Sequence, residues 1–70
     1  MSKLSQFIKL KRKSENLTQE ELSLKAGVGL RFIRDLEQGK ETLKMDKVNL
    51  VLSLFGHELS PTKINKDETR

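Results

Sequence analysis

The chain of 70 residues has no cysteine, no tryptophan and no tyrosine, and only one histidine and one proline. The first absence excludes disulfide staples and thiolate metal sites, on which domains of this size often depend. The lone imidazole, His57, cannot assemble a zinc site by itself, so no metal and no cofactor is expected. Long apolar runs are missing too. Nothing approaches the ~20 residues of a membrane span. The opening MSKLSQFIKLKRKSEN interleaves charged and apolar side chains where a secretory leader needs an unbroken apolar stretch. No membrane association is expected, and the expected location is the cytoplasm. Glycine is sparse, and Gly27 and Gly29 follow no strand pattern of the kind a dinucleotide fold requires. No nucleophile is spaced with a base, and there is no Gly-rich phosphate loop and no metal-ligand cluster, so the chain does not read as an enzyme.

What is present is a modest positive charge. Fourteen Lys and Arg face ten Asp and Glu, a net charge of +4 that suits a polyanionic partner. A chain this short forms one domain and buries only about 60% of its unfolded surface, so help from a partner or a second copy is expected.

Four amphipathic helical patterns run along the sequence, giving an all-α fold. Leu4, Phe7, Ile8 and Lys11 recur at spacings of three and four and predict a first helix over residues 4–15, with Ser2 or Ser5 near its start and Asn16 as a left-handed stop. Leu10 and Leu17 add apolar surface at and beyond its end. Thr18 with Glu21 three residues on is a capping box, and Leu22 and Ala26 lead to a stop at Gly27. Ile33 and Leu36 mark the buried side of a third helix ending at Gly39. Met45, Val48, Val51, Leu52 and Phe55 define a fourth, capped by Thr42 or Asp46 and closed by Gly56. Leu50 and Leu54 widen its apolar surface beyond what one small core needs. Residues 1–60 are expected to form the domain and residues 61–70 a loose, charged tail.

The stretch TQEELSLKAGVGLRFIRDLEQGK therefore holds two short helices joined by a tight turn. Small Ala26 lets them approach, and the set Leu22, Val28, Ile33 and Leu36 fixes how they cross. The N-terminal half of the second helix stays uncovered, and a helix of this kind fits the major groove of B-DNA. Leu17, Thr18, Gln19, Glu21, Leu22, Ala26, Gly27, Val28, Ile33, Leu36, Glu37 and Gly39 together resemble the Cro/cI-like (XRE) helix-turn-helix family. The connector and the ending Gly56, His57, Glu58 and Leu59 resemble its HipB-like antitoxin branch, in which a strand after the last helix pairs across a dimer.

The resemblance implies a lambda-repressor-like domain of four to five helices, with a short C-terminal strand, that binds double-stranded DNA as a homodimeric repressor. The branch resemblance implies the alternative of an antitoxin that also neutralises a HipA-like kinase toxin. Residue by residue, it places Gln19 on a DNA phosphate and makes Arg12 and Glu37 a structural ion pair. Gly29, Leu30, Arg31, Phe32, Arg34 and Asp35 occupy the base-reading positions. Here the sequence departs from the small polar residues usual in the family. Arg31 suits guanine, Leu30 or Phe32 a thymine methyl, and Asp35 either cytosine or its neighbour Arg31. Phe32 also has a competing place in the core or at a partner interface. Lys40, Thr42, Lys44 and Lys47 flank this helix and are expected on phosphates. Val51, Leu52, Leu54 and Phe55, with His57 and Leu59 on the strand, are the expected dimer seam.

Overall fold

Helix limits in this chain are set by the backbone's search for substitute hydrogen-bond partners. The computed structural model describes residues 2–64. Within them are four helices: α1 (Lys3–Ser14), α2 (Gln19–Ala26), α3 (Leu30–Glu37) and α4 (Met45–Ser53). Ser2 caps α1, its hydroxyl accepting the Ser5 N–H at 3.1 Å. At α2 the capping box is complete: the Glu21 N–H donates to Thr18 Oγ1 at 3.0 Å and the Thr18 N–H to Glu21 Oε1 at 2.8 Å. The Thr18 N–H, then its hydroxyl, hold the Glu21 carboxyl below the usual carboxylate range.

The other two starts lack a side-chain cap. Gly29 and Lys44 stand at the N-cap positions of α3 and α4. This corrects the expectation of Thr42 or Asp46 at the head of α4. Asp46 lies within the first turn, where its carboxylate accepts the Lys47 N–H at 2.9 Å, near the positive end of the helix.

All four helices stop by one device. A residue with positive φ (Asn16, Gly27, Gly39 or Gly56) reverses the chain, and the next N–H folds back onto a carbonyl five residues earlier. The bonds run from Leu17 to Arg12, Val28 to Ser23, Lys40 to Asp35 and His57 to Leu52, at 3.0–3.1 Å. This is the Schellman geometry.

The core is Ile8, Leu22, Ala26, Ile33, Leu36, Val48, Val51 and Leu52, with Leu4, Phe7, Leu17, Val28, Phe32, Leu43, Phe55 and Leu59 packed around it. Helix α3 lies against both α1 and α2, and α4 closes the far side of α2. Leu10, which the sequence pattern counted with the apolar surface, points to solvent, as does Met45 at the rim where α4 begins. The expected dimer seam also needs correction. Val51 and Leu52 are buried in the chain's own core and present no free apolar face, while Phe55 is half-buried against that core. Leu50 of α4 and Leu54 just past its end are exposed apolar residues, as is Met45.

The segment after Gly56 folds back on the domain. No β-strand forms among the described residues. The Leu59 N–H, which a ladder would use, donates instead to Asn49 Oδ1 at 2.7 Å, and the Leu59 side chain packs against the core. The His57 ring packs at a tilt against that of Phe7, with centroids 4.6 Å apart. Of the expected loose tail, residues 61–64 are exposed and irregular, and residues 65–70 lie outside the described residues. No helix is long and apolar enough to cross a membrane.

Candidate nucleic-acid interface

The turn between α2 and α3 occupies only residues 27–29. Gly27 takes φ 74°, a left-handed conformation that costs glycine little. Val28 tucks against the core, and Gly29 returns to extended backbone before α3. The result holds α3 at a fixed attitude on the surface. It is the most strongly amphipathic of the four helices. Ile33, Leu36 and Glu37 are buried beneath it, and Arg31, Arg34 and Gln38 are exposed above.

Beneath α3 lies a polar anchor. Arg12 of α1 forks onto Glu37, Nε donating to Oε2 at 2.6 Å and Nη2 to Oε1 at 3.0 Å. A third donor, Nη1, reaches the Leu17 carbonyl at 2.9 Å, and Gln19 Nε2 donates to Glu37 Oε1 at 3.2 Å. Glu37 is only 2% exposed and Arg12 12%. Charges so withdrawn from water need full pairing, and no buried side-chain nitrogen or oxygen among the described residues lacks a partner. The hydrogen bond to Glu37 raises the Arg12 pKa above its ordinary value, against the opposing effect of burial. The expected structural ion pair is therefore present. The Gln19 bond, which ties the start of α2 to the same carboxylate, had no local signal because its partners stand 18 residues apart.

Above α3 lies a second, open network. Asp35 sits between two cations: Arg31 Nε at 3.4 Å from Oδ1 and Lys40 Nζ at 3.6 Å from Oδ2. The Arg31 side chain is 86% exposed and that of Asp35 19%. Arg34 is exposed, Leu30 half-buried and Gly29 exposed at the helix start. Phe32 is the exception among the expected base-reading residues. It is packed against the core and is corrected to a supporting role, because a benzyl group gains more from that contact than from water. Lys40, Thr42, Lys44 and Lys47 are exposed along the connector and the start of α4, a path pinned to the body by half-buried Leu43. The Lys40 contact was legible in principle. Gly39 one residue before it announces the chain reversal that returns Lys40 to Asp35.

Among the described residues no three His, Cys, Asp or Glu side chains gather as a metal site would require. What the arrangement offers is a rigid helix with arginines on its outer face, flanked by lysines.

A helix-turn-helix family model matches residues 8–60. The chain belongs to the Cro/cI-like (XRE) helix-turn-helix family. It is also 52% identical over 50 residues to an uncharacterized HTH-type transcriptional regulator, y4mF, of Sinorhizobium fredii. That match covers 71% of this chain and 66% of the relative, so the chain spans just under two thirds of the relative's length. In this helix-turn-helix protein, α2 and α3 are the helices of the motif, and α1 and α4 are the supports that orient them.

Proposed function

We propose that this helix-turn-helix protein is a sequence-specific double-stranded DNA-binding transcriptional regulator, a dimeric repressor that reads a palindromic operator with α3. One observation carries the proposal. Helix α3 is fixed to the body through Ile33, Leu36 and Glu37, while Arg31 and Arg34 stand uncovered on its outer face, nearly one turn apart. An α-helix with its side chains is ~10–12 Å across and the major groove ~12 Å wide, so such a helix enters edge to edge with the bases.

Arg31 would fork onto guanine O6 and N7, Arg34 reaches a base or the adjacent phosphate, and half-buried Leu30 meets a thymine methyl. Gly29, with no side chain, permits close approach of the backbone. Gln19 retains a role on phosphate: one amide proton is engaged by Glu37, and the second, with the backbone N–H groups at the start of α2, is directed to an anion. Lys40, Thr42, Lys44 and Lys47 extend the phosphate contacts along the neighbouring backbone. Two copies would place their α3 helices roughly 34 Å apart in successive major grooves, with exposed Leu50 and Leu54 available for pairing. Occupying the operator excludes RNA polymerase. The name of the Sinorhizobium relative, a transcriptional regulator, supports the same reading. The HipB-like antitoxin alternative gains no such support, since the ending on which it rested folds back onto Asn49 and Phe7.

The test is selection of the full chain against a random-sequence duplex library, followed by sequencing. Enrichment of a two-fold symmetric site is the expected result. Recovery of unrelated sequences only would overturn the proposal.

A further inference from the structure

We infer that Asp35 reads no base itself and acts as a positioning residue for Arg31, held in that role by Lys40 from the turn that ends α3. The inference rests on the DNA-binding reading above and names the residue that sets specificity within it.

The geometry begins with Gly39. At φ 86° it reverses the chain, and the Lys40 N–H donates to the Asp35 carbonyl at 3.0 Å while the Gly39 N–H donates to that of Leu36 at 3.2 Å. The backbone thereby fixes Lys40 over the last turn of the helix, and its ammonium lies 3.6 Å from Asp35 Oδ2. Asp35 is itself four residues after Arg31, the spacing at which helix side chains meet, and its Oδ1 lies 3.4 Å from Arg31 Nε. Both carboxylate oxygens therefore already face cations. An Asp that read cytosine would have to share an oxygen between the amino group and the cation already beside it.

The choice of nitrogen matters. Asp35 approaches Arg31 at Nε, on the inner edge of the guanidinium, which carries four further N–H groups on its two terminal nitrogens. A guanidinium steered from its inner edge presents its outer fork with fewer competing rotamers, and the entropy of ordering a long side chain is reduced in advance. An exposed pair at this spacing adds little to stability, so the consequence lies in presentation. A second consequence follows from charge. Asp35 places a negative group at a surface facing phosphates, which weakens attachment to any DNA. Orientation gained at one base pair and affinity lost on all sequences both widen the gap between specific and non-specific binding.

The test compares full-length wild type, Arg31→Ala, Asp35→Ala, Asp35→Glu and the double substitution Arg31→Ala/Asp35→Ala in library selection and in titrations of cognate and non-cognate duplexes, with circular dichroism to show that each variant folds. Asp35→Asn, nearly the same shape, serves if Asp35→Ala does not fold. Arg31→Ala should lose roughly tenfold or more of discrimination at one base pair. Asp35→Ala should lose about threefold or more at that same base pair, while binding non-cognate DNA more tightly. The double variant should match Arg31→Ala in its preference profile, and Asp35→Glu, which still reaches Arg31, should restore discrimination. The inference is overturned if Asp35→Ala changes preference at a different base pair, lowers discrimination further when Arg31 is already absent, or leaves the wild-type profile untouched. A wild type that enriches no sequence defeats the DNA-binding reading itself and the inference with it. That result differs from a selective wild type with an indifferent Asp35→Ala.

Discussion

Asp35 and Glu37 stand two residues apart on α3, both are carboxylates, and both pair with an arginine, yet they sit in different worlds. Glu37 faces inward at 2% exposure and takes three hydrogen bonds, from Arg12 and Gln19. Asp35 faces outward between Arg31 and Lys40 at 3.4 and 3.6 Å. The inner network is short and largely buried, so losing a member leaves a charge with little solvent to receive it. The outer network is longer and open, so losing a member hands its partners to water. One helix thus carries two kinds of carboxylate: the inner one holds α3 to the body, and the outer one, on the inference above, governs what α3 presents.

Breaking the inner network should give the largest effect. Arg12→Ala strands Glu37 and is expected to destabilise the fold by ~3–5 kcal/mol, read as a lower urea midpoint with an unchanged slope. Much of a small domain's whole stability is of this size, so partial unfolding at 37 °C should follow. Replacing both members with apolar residues, Arg12→Met together with Glu37→Leu, should recover most of the loss, since no charge is then left buried. If the double variant is as unstable as Arg12→Ala, the inner pair matters through its hydrogen-bond geometry to Leu17 and Gln19 and not through charge burial.

On the outer face the expected change is in selectivity. Arg31→Ala should relax preference at one base pair by ~1–3 kcal/mol. Gln19→Ala should weaken all duplexes alike, with some loss of fold stability because Glu37 loses a donor. Titrations of a panel of single-base operator variants separate these patterns. Parallel profiles for the two variants would erase the division between reading and gripping.

Much of this division was legible in the chain. Periodic apolar residues gave four helices, and the stops at Asn16, Gly27, Gly39 and Gly56 followed from residues that tolerate positive φ, each one observed there. The capping box at Thr18 was likewise visible, because both partners lie within one turn. What the pattern did not reveal depended on distance along the chain or on competition for the core. Phe32 lies on the boundary between the two faces of α3, and periodicity alone does not say which side takes it. Val51 and Leu52 look like surplus until the whole core is assembled, when both prove to be part of it. Leu59 reads as a strand residue, yet Asn49 reaches its N–H first.

An intermediate effect is expected at the capping box, where the exposed Glu21 carboxylate accepts the Thr18 backbone N–H. Thr18→Ala should cost about 1 kcal/mol of stability. Glu21 has a lowered pKa in the fold, so its contribution is present above the ordinary carboxylate pKa and is lost as the pH falls through the folded value. Glu21→Gln should therefore be less stable than wild type at pH 7, and the gap should close on acidification below about pH 4. A gap independent of pH in that window would mean that Glu21 acts by shape and not by charge.

The smallest effect is expected at Asp35. Asp35→Ala should leave the urea midpoint almost unchanged, within about 0.5 kcal/mol of wild type. The carboxylate it removes is near the negative end of α3, where an anion is not favoured by the helix dipole, and its departure releases two cations that water solvates readily. The same type of truncation on the inner side, Glu37→Ala, strands Arg12 and should destabilise strongly. A stability loss at Asp35 comparable to that at Glu37 would show that the outer pair is also part of the fold's support. The separation of anchoring from presentation on α3 would then fail.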